Sequence, residues 1–223
     1  MTYLVLIFSV LVGIAIVFGL KPSNRTAQLL LSFSGAYLLS ITILHLLPEV
    51  YVTKHNTVGL FILLGLLFQL ILDYFSKGAE HGHIHIQKNQ AFPWALFISL
   101  CVHAFMEGLP LANHSQHEHL LWAIVIHKVP IAIILGTFFV NSNFPKKTAI
   151  LFLVLFSLMS PLGSLAGEQI VFLIKYKTEI TAIIIGIFLH ISTIILFETS
   201  KDHKFNLYKF IAILTGMIVA LLA

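Results

Sequence analysis

His103 and Glu107 stand four residues apart, and His127 and Lys128 follow in the next apolar run. On an α-helix, residues four apart differ by only about 40° in rotation and about 6 Å in height. An imidazole and a carboxylate in that register share one face and can grip one ion. Imidazole with carboxylate is the donor set of Zn²⁺ and its first-row neighbours. Both segments lie inside runs long enough to cross a bilayer, where one ionisable group costs at least about 2.5–3.5 kcal/mol. A single buried histidine there would read more simply as a hydrogen-bonded packing group. Three donors on consecutive spans read about equally as a metal site and as an interhelical hydrogen-bonded cluster. Lys128 is the odd member. Its ammonium repels a dication unless it pairs with Glu107 or another carboxylate, or fills the place of a second cation. It sits too far inside the span to snorkel.

The elements that must hold these groups are membrane spans. Of 223 residues, 58% are hydrophobic and 10% charged, and the mean hydropathy is +0.97. A water-soluble domain cannot hide that much apolar surface, so the chain reads as an all-α, multi-pass membrane protein. The net charge of +4 is no nucleic-acid footprint, because the cations fall in short loops between apolar runs. Cys101 has no second cysteine with which to form a disulfide. A cleaved leader is not expected, since the first run lacks a basic start and a small-residue cleavage site.

Eight spans are expected, at about 3–20, 27–47, 58–75, 91–112, 120–140, 148–174, 180–197 and 206–223, as one transmembrane domain over 1–223. The sixth is expected to break at Ser160-Pro161-Leu162-Gly163. Loops one, three, five and seven carry eight Lys or Arg and the even loops three, which puts the odd loops in the cytoplasm and both termini outside. Spans two and seven end alike, in Ile43-Leu44-His45-Leu46-Leu47-Pro48-Glu49 and Ile194-Ile195-Leu196-Phe197-Glu198. Run in opposite directions, they suggest three-helix inverted repeats flanking a central pair, an arrangement common in transporters with midplane sites.

Other polar groups have plainer readings beside the functional ones. Gly108, Pro110 and Pro130 are kinks, and kinks at membrane depth free carbonyls that must be buried or line a cavity. His81, His83 and His85 alternate in the cytoplasmic loop 76–90, either incidentally or as a weak metal-collecting segment. His114, His117 and His119 could gather cations on the outer side. His45 with Glu49, and His190 on span seven, are candidates for an access route. Asp73 and Glu168 lie near span ends, where a solvated carboxylate is the default.

Taken in order, these segments resemble the ZIP family of divalent-metal transporters (zinc/iron-regulated transporter-like proteins). His45-Leu-Leu-Pro48-Glu49 is similar to the family's HLxPE, and His103-Ala-Phe-Met-Glu107-Gly108 to its HNxxDG or HNxxEG. His127-Lys-Val-Pro130-Ile131-Ala132 resembles HEIPHE, Ser160-Pro161-Leu162-Gly163 resembles EPLG, and Gly186-Ile-Phe188-Leu189-His190 resembles GTFLY. The likeness covers essentially the whole chain. It implies a 3+2+3 fold, with transport by movement of the central helices against the flanking repeats. It also implies a binuclear centre between spans four and five, with the transported metal at His103, Glu107 and His127. Ala104, Lys128 and Ser160 stand where second-metal ligands are implied, and Ala132 where a carboxylate would complete the first site. One metal is therefore expected rather than two.

The expected function is passage of a divalent cation toward the cytoplasm, zinc first, with Fe²⁺, Mn²⁺, Co²⁺ and Ni²⁺ compatible with the same ligands. No enzyme activity, catalytic residue or catalytic cofactor is expected. The expected partners are the metal ion and the lipid bilayer, without nucleic acid, and a homodimer stays open. The location is a cell (inner) membrane. Two alternatives remain. The missing ligands favour a metal-binding sensor or regulator that does not transport. Three ligands and an open position would also suit an intramembrane metallohydrolase, but no acid, base or nucleophile accompanies them.

Overall fold

The computed structural model describes residues 1–52, 57–78, 93–112, 118–142, 144–197 and 206–223. They form helices and no strand, as an apolar chain in lipid must if each backbone group is to find its bond within its own segment. The helices are α1 (Thr2–Leu20), α2 (Asn24–Val52), α3 (Val58–Ser76), α4 (Trp94–Ala112), α5 (Glu118–Asn141), α6 (Lys146–Gln169), α7 (Lys177–Phe197) and α8 (Leu207–Leu222). The first seven are long and apolar enough to cross a membrane, and α8 is a shorter apolar helix. This is the expected all-α membrane fold. Ser23 caps α2 by accepting the Thr26 N–H at 3.1 Å, which fixes the turn after α1.

Two span ends differ from the sequence reading by five residues, each for a backbone reason. The second span runs past Pro48 to Val52 because Thr42–Leu46 widens into a π-helical turn, with the Leu47 N–H bonded to the Thr42 carbonyl. Proline has no N–H, and its ring clashes with the carbonyl four residues back. The wider turn lets the helix pass it. The sixth span ends at Gln169, where Ile170 turns extended, before the short helix Val171–Lys175. The expected break at Ser160-Pro161 is absent, and Pro161 lies inside a continuous α6. Close packing on α4 holds that stretch. Ser160 Oγ donates to the Ala104 carbonyl at 2.5 Å, and a Cβ at Gly163 would collide with the Phe105 carbonyl.

Packing sorts the helices into two sets. In one, α1 packs on α5 and α6, and α4 packs on α6. Tyr3 Oη ties the start of α1 to the end of α6 by donating to Glu168 at 2.8 Å. In the other, α3 packs on α7, α8 on α2, and α2 on α7, with the Arg25 guanidinium 4.4 Å from the Tyr208 ring centroid. Exchanging α1 with α6, α2 with α7, α3 with α8 and α4 with α5 maps the α1–α5 contact onto α6–α4 and α3–α7 onto α8–α2. That is the symmetry of inverted three-helix repeats. The central α4 and α5 are not a separate hairpin, because α1 and α6 accompany them. The seams α2–α5 and α3–α4, with a smaller contact of the end of α4 on α7, join the two sets.

Small residues permit these approaches, since lipid supplies no hydrophobic drive between helices. A Cβ at Gly65 would enter the Ile183 carbonyl of α7, and one at Gly186 the Ile62 carbonyl of α3. Gly65→Ala is therefore expected to lower the thermal midpoint of the detergent-solubilised protein, on the roughly 1–3 kcal/mol scale of overpacking. Gly19→Ala, with nothing within 4 Å of the new methyl, is the control and should not lower it.

Candidate metal centre

His103 lies midway along α4, with Glu107 one turn beyond it and His127 at similar depth on α5. All three side chains are buried, at 0, 1 and 0% exposure. Their ligand atoms fall within 4.8 Å of one another, close enough for small side-chain shifts to bring all three onto one small cation. His103 Nε2 stands 2.8 Å from Glu107 Oε1, and His127 Nε2 stands 3.9 Å from the same oxygen. The imidazoles meet edge to face, with centroids 6.4 Å apart. Two ring nitrogens and one carboxylate oxygen thus converge, and water could complete a tetrahedron.

The second carboxylate oxygen is engaged elsewhere. Glu107 Oε2 is 3.2 Å from Lys128 Nζ, both groups being buried, and the ammonium lies 5.1 Å from the Phe156 ring centroid on α6. A carboxylate alone at this depth would be very costly, and the ammonium offsets it. Cation–π attraction to Phe156 adds a smaller share.

The positions implied as second-metal ligands are filled by other chemistry. Ala104 is a methyl, Ser160 gives its proton to the Ala104 carbonyl, and Lys128 brings a positive charge. Ala132 departs from expectation. It faces α1, where a Cβ added at Gly13 would come within 2.6 Å of the Ala132 methyl, so a carboxylate there would point away from the cluster. The residue one turn beyond His127, on its face, is Ile131.

The other candidate residues lie apart. His45 sits in the π-helical turn of α2, exposed, with its ring stacked on exposed His119 of α5 at 4.7 Å. Glu49 is exposed on the same end of α2, and His190 is buried in α7. Among the described residues, none of these three belongs to a cluster of three metal-type donors. His81, His83, His85, His114 and His117 lie outside the described residues.

Two residues of this centre escaped the sequence reading. Gln69 of α3 sets its Oε1 3.3 Å from His103 Nδ1, and Ser34 of α2 sets its Oγ 3.4 Å from His127 Nδ1. Both are fully buried. Gln69 carried a usable signal, an amide within an apolar span, where an unmatched polar group is costly. Ser34 carried none, because serine commonly bonds its own helix backbone in such spans.

A family model described as ZIP zinc transporter matches residues 76–223, which includes every helix from α4 onward. Protein zntD of Dictyostelium discoideum is 30% identical over 150 residues, 58% of this chain and 22% of that protein. Zinc transporter ZIP1 of Danio rerio is 31% identical over 88 residues, 38% of this chain and 29% of its own length. Its counterpart in Takifugu rubripes is 30% identical over 95 residues, 41% and 32% of the two chains. The matched stretches span less than a third of each of these curated relatives.

Proposed function

Because this chain belongs to the ZIP zinc transporter family, we propose that it carries a divalent metal cation, zinc first, across the membrane toward the cytoplasm. The cation is held by His103, Glu107 and His127. The observation carrying this reading is the convergence of three buried metal-type donors within 4.8 Å at mid-span. The ligands come from α4 and α5, whose set meets the other at the α2–α5 and α3–α4 seams. A shift of one set against the other would expose the ion to opposite sides in turn, as the family resemblance implies. The His45–His119 pair lies between the same two helices as Ser34 and His127, at the outer end of that seam if both termini face outward. It is well placed to receive an incoming cation.

The test is uptake of radioactive zinc by proteoliposomes containing the full chain. Uptake above empty vesicles supports a carrier, and saturable binding without uptake supports the binding-only sensor or regulator. A specific observation favours that second reading, namely the Lys128 ammonium 3.2 Å from the ligand carboxylate. The site also predicts a pH dependence. A metal needs the lone pair that a proton would occupy, so binding should weaken as pH falls and protons compete for the ring nitrogens. A zinc titration between pH 5.5 and 8 checks this, and tighter binding at the acid end would contradict the histidine ligands.

A further inference from the structure

We propose that Gln69 and Ser34 position the two imidazoles, fixing both as Nδ1–H tautomers with Nε2 presented to the metal. The proposal rests on the central-site reading above and adds the residues that orient it. The proton accounting comes from the acceptors. Gln69 Oε1 is a carbonyl oxygen and only accepts, so the nitrogen facing it at 3.3 Å, His103 Nδ1, carries a proton. Ser34 has a single hydroxyl proton, which it donates to the Leu31 carbonyl at 3.0 Å. With that proton committed, Ser34 Oγ can only accept from His127 Nδ1, 3.4 Å away. In both rings the other nitrogen, Nε2, is the one turned toward Glu107 Oε1. A metal-ligating imidazole is commonly held this way, with its second nitrogen donating to a neighbouring oxygen.

The source of the acceptors gives the arrangement its consequence. Both ligand histidines belong to the set containing α4 and α5, and both acceptors belong to the set containing α2 and α3. One bond crosses the α3–α4 seam and the other the α2–α5 seam, so the ligands are aligned in full only while the two sets keep this register. Displacing one set would remove both acceptors together and weaken the grip on the ion. Gln69 and Ser34 thereby couple metal affinity to the relative position of the two helix sets.

The experiment uses the detergent-solubilised full chain, with Co²⁺ absorption as a readout of ligand geometry and Zn²⁺ competition for affinity. Gln69→Leu and Ser34→Ala are each expected to weaken metal binding by about 10–100-fold, the usual cost of losing such a hydrogen bond, and to alter the Co²⁺ spectrum. Gln69→Glu keeps an oxygen that can accept from His103 Nδ1, so it should bind the metal more tightly than Gln69→Leu. A purely structural amide would not be rescued this way. Ser34→Ala removes one oxygen and reads His127 alone, so it serves if Gln69→Leu does not fold. Parental affinity and spectrum in both Gln69→Leu and Ser34→Ala would overturn the proposal, as would a Gln69→Glu protein as weak as Gln69→Leu. Parent binding that His103→Ala leaves unchanged would overturn the central site itself, and this inference with it.

Discussion

His103→Ala is expected to reduce zinc uptake into proteoliposomes to the level of empty vesicles, with the protein still folded. His103 supplies the ligand atom nearest Glu107, at 2.8 Å, and its ring stands on the same helix face one turn away. Removing it leaves His127 and the carboxylate 3.9 Å apart, with one oxygen of that carboxylate already committed to Lys128. Loss of a residue that merely orients a ligand costs about 10–100-fold in affinity. Loss of a ligand should therefore exceed about 100-fold and abolish measurable uptake at micromolar zinc. The Glu107–Lys128 pair survives without the imidazole, but the change opens a cavity and removes the hydrogen bond to Gln69 Oε1. The thermal midpoint without metal should consequently fall, while the shift on adding zinc disappears. A His103→Ala protein that still takes up zinc at the parental rate would place the transport site elsewhere.

The chemistry of the centre was readable in the sequence because it lies along single helices. The four-residue spacing of His103 and Glu107 fixes their common face, and the apolar runs fix their depth. What lay between helices was not readable. The pairing of Lys128 with Glu107 was one of several arrangements that spacing allowed, and the geometry selects it. Gln69 and Ser34 act across seams, and one chain's periodicity says nothing about which residue opposes which. Pro48 and Pro161 look alike as helix breakers, yet one is passed by a π-turn and the other by tight packing on α4. The difference lies in neighbours that contribute a carbonyl or a glycine. Ala132 lies a single residue past Ile131, the position one turn beyond His127. One residue is about 100° of helix, enough to turn a side chain from the ion toward α1.

Lys128→Met is expected to make the fold depend on the metal. Without a metal, Glu107 and Lys128 are a buried pair, and removing one partner of such a pair typically costs about 3–5 kcal/mol. The metal-free Lys128→Met protein should melt well below the parent. With zinc the balance reverses. A dication and an ammonium on the same carboxylate repel, by several kcal/mol for charges about 6 Å apart at an effective dielectric constant near 20. Even a fraction of that, after relaxation, tightens zinc binding by at least about tenfold. Ligand binding stabilises in proportion to the logarithm of ligand concentration over Kd, so added zinc should recover most of the lost midpoint and shift it more than in the parent. The concentration for half-maximal uptake should fall as well, and turnover with it if release becomes limiting. Thermal melts across a zinc titration, paired with uptake kinetics, check each step. Unchanged zinc affinity in Lys128→Met would mean that the ammonium leaves Glu107 when the ion arrives, a side-chain movement that Phe156, 5.1 Å from Nζ, is placed to accommodate.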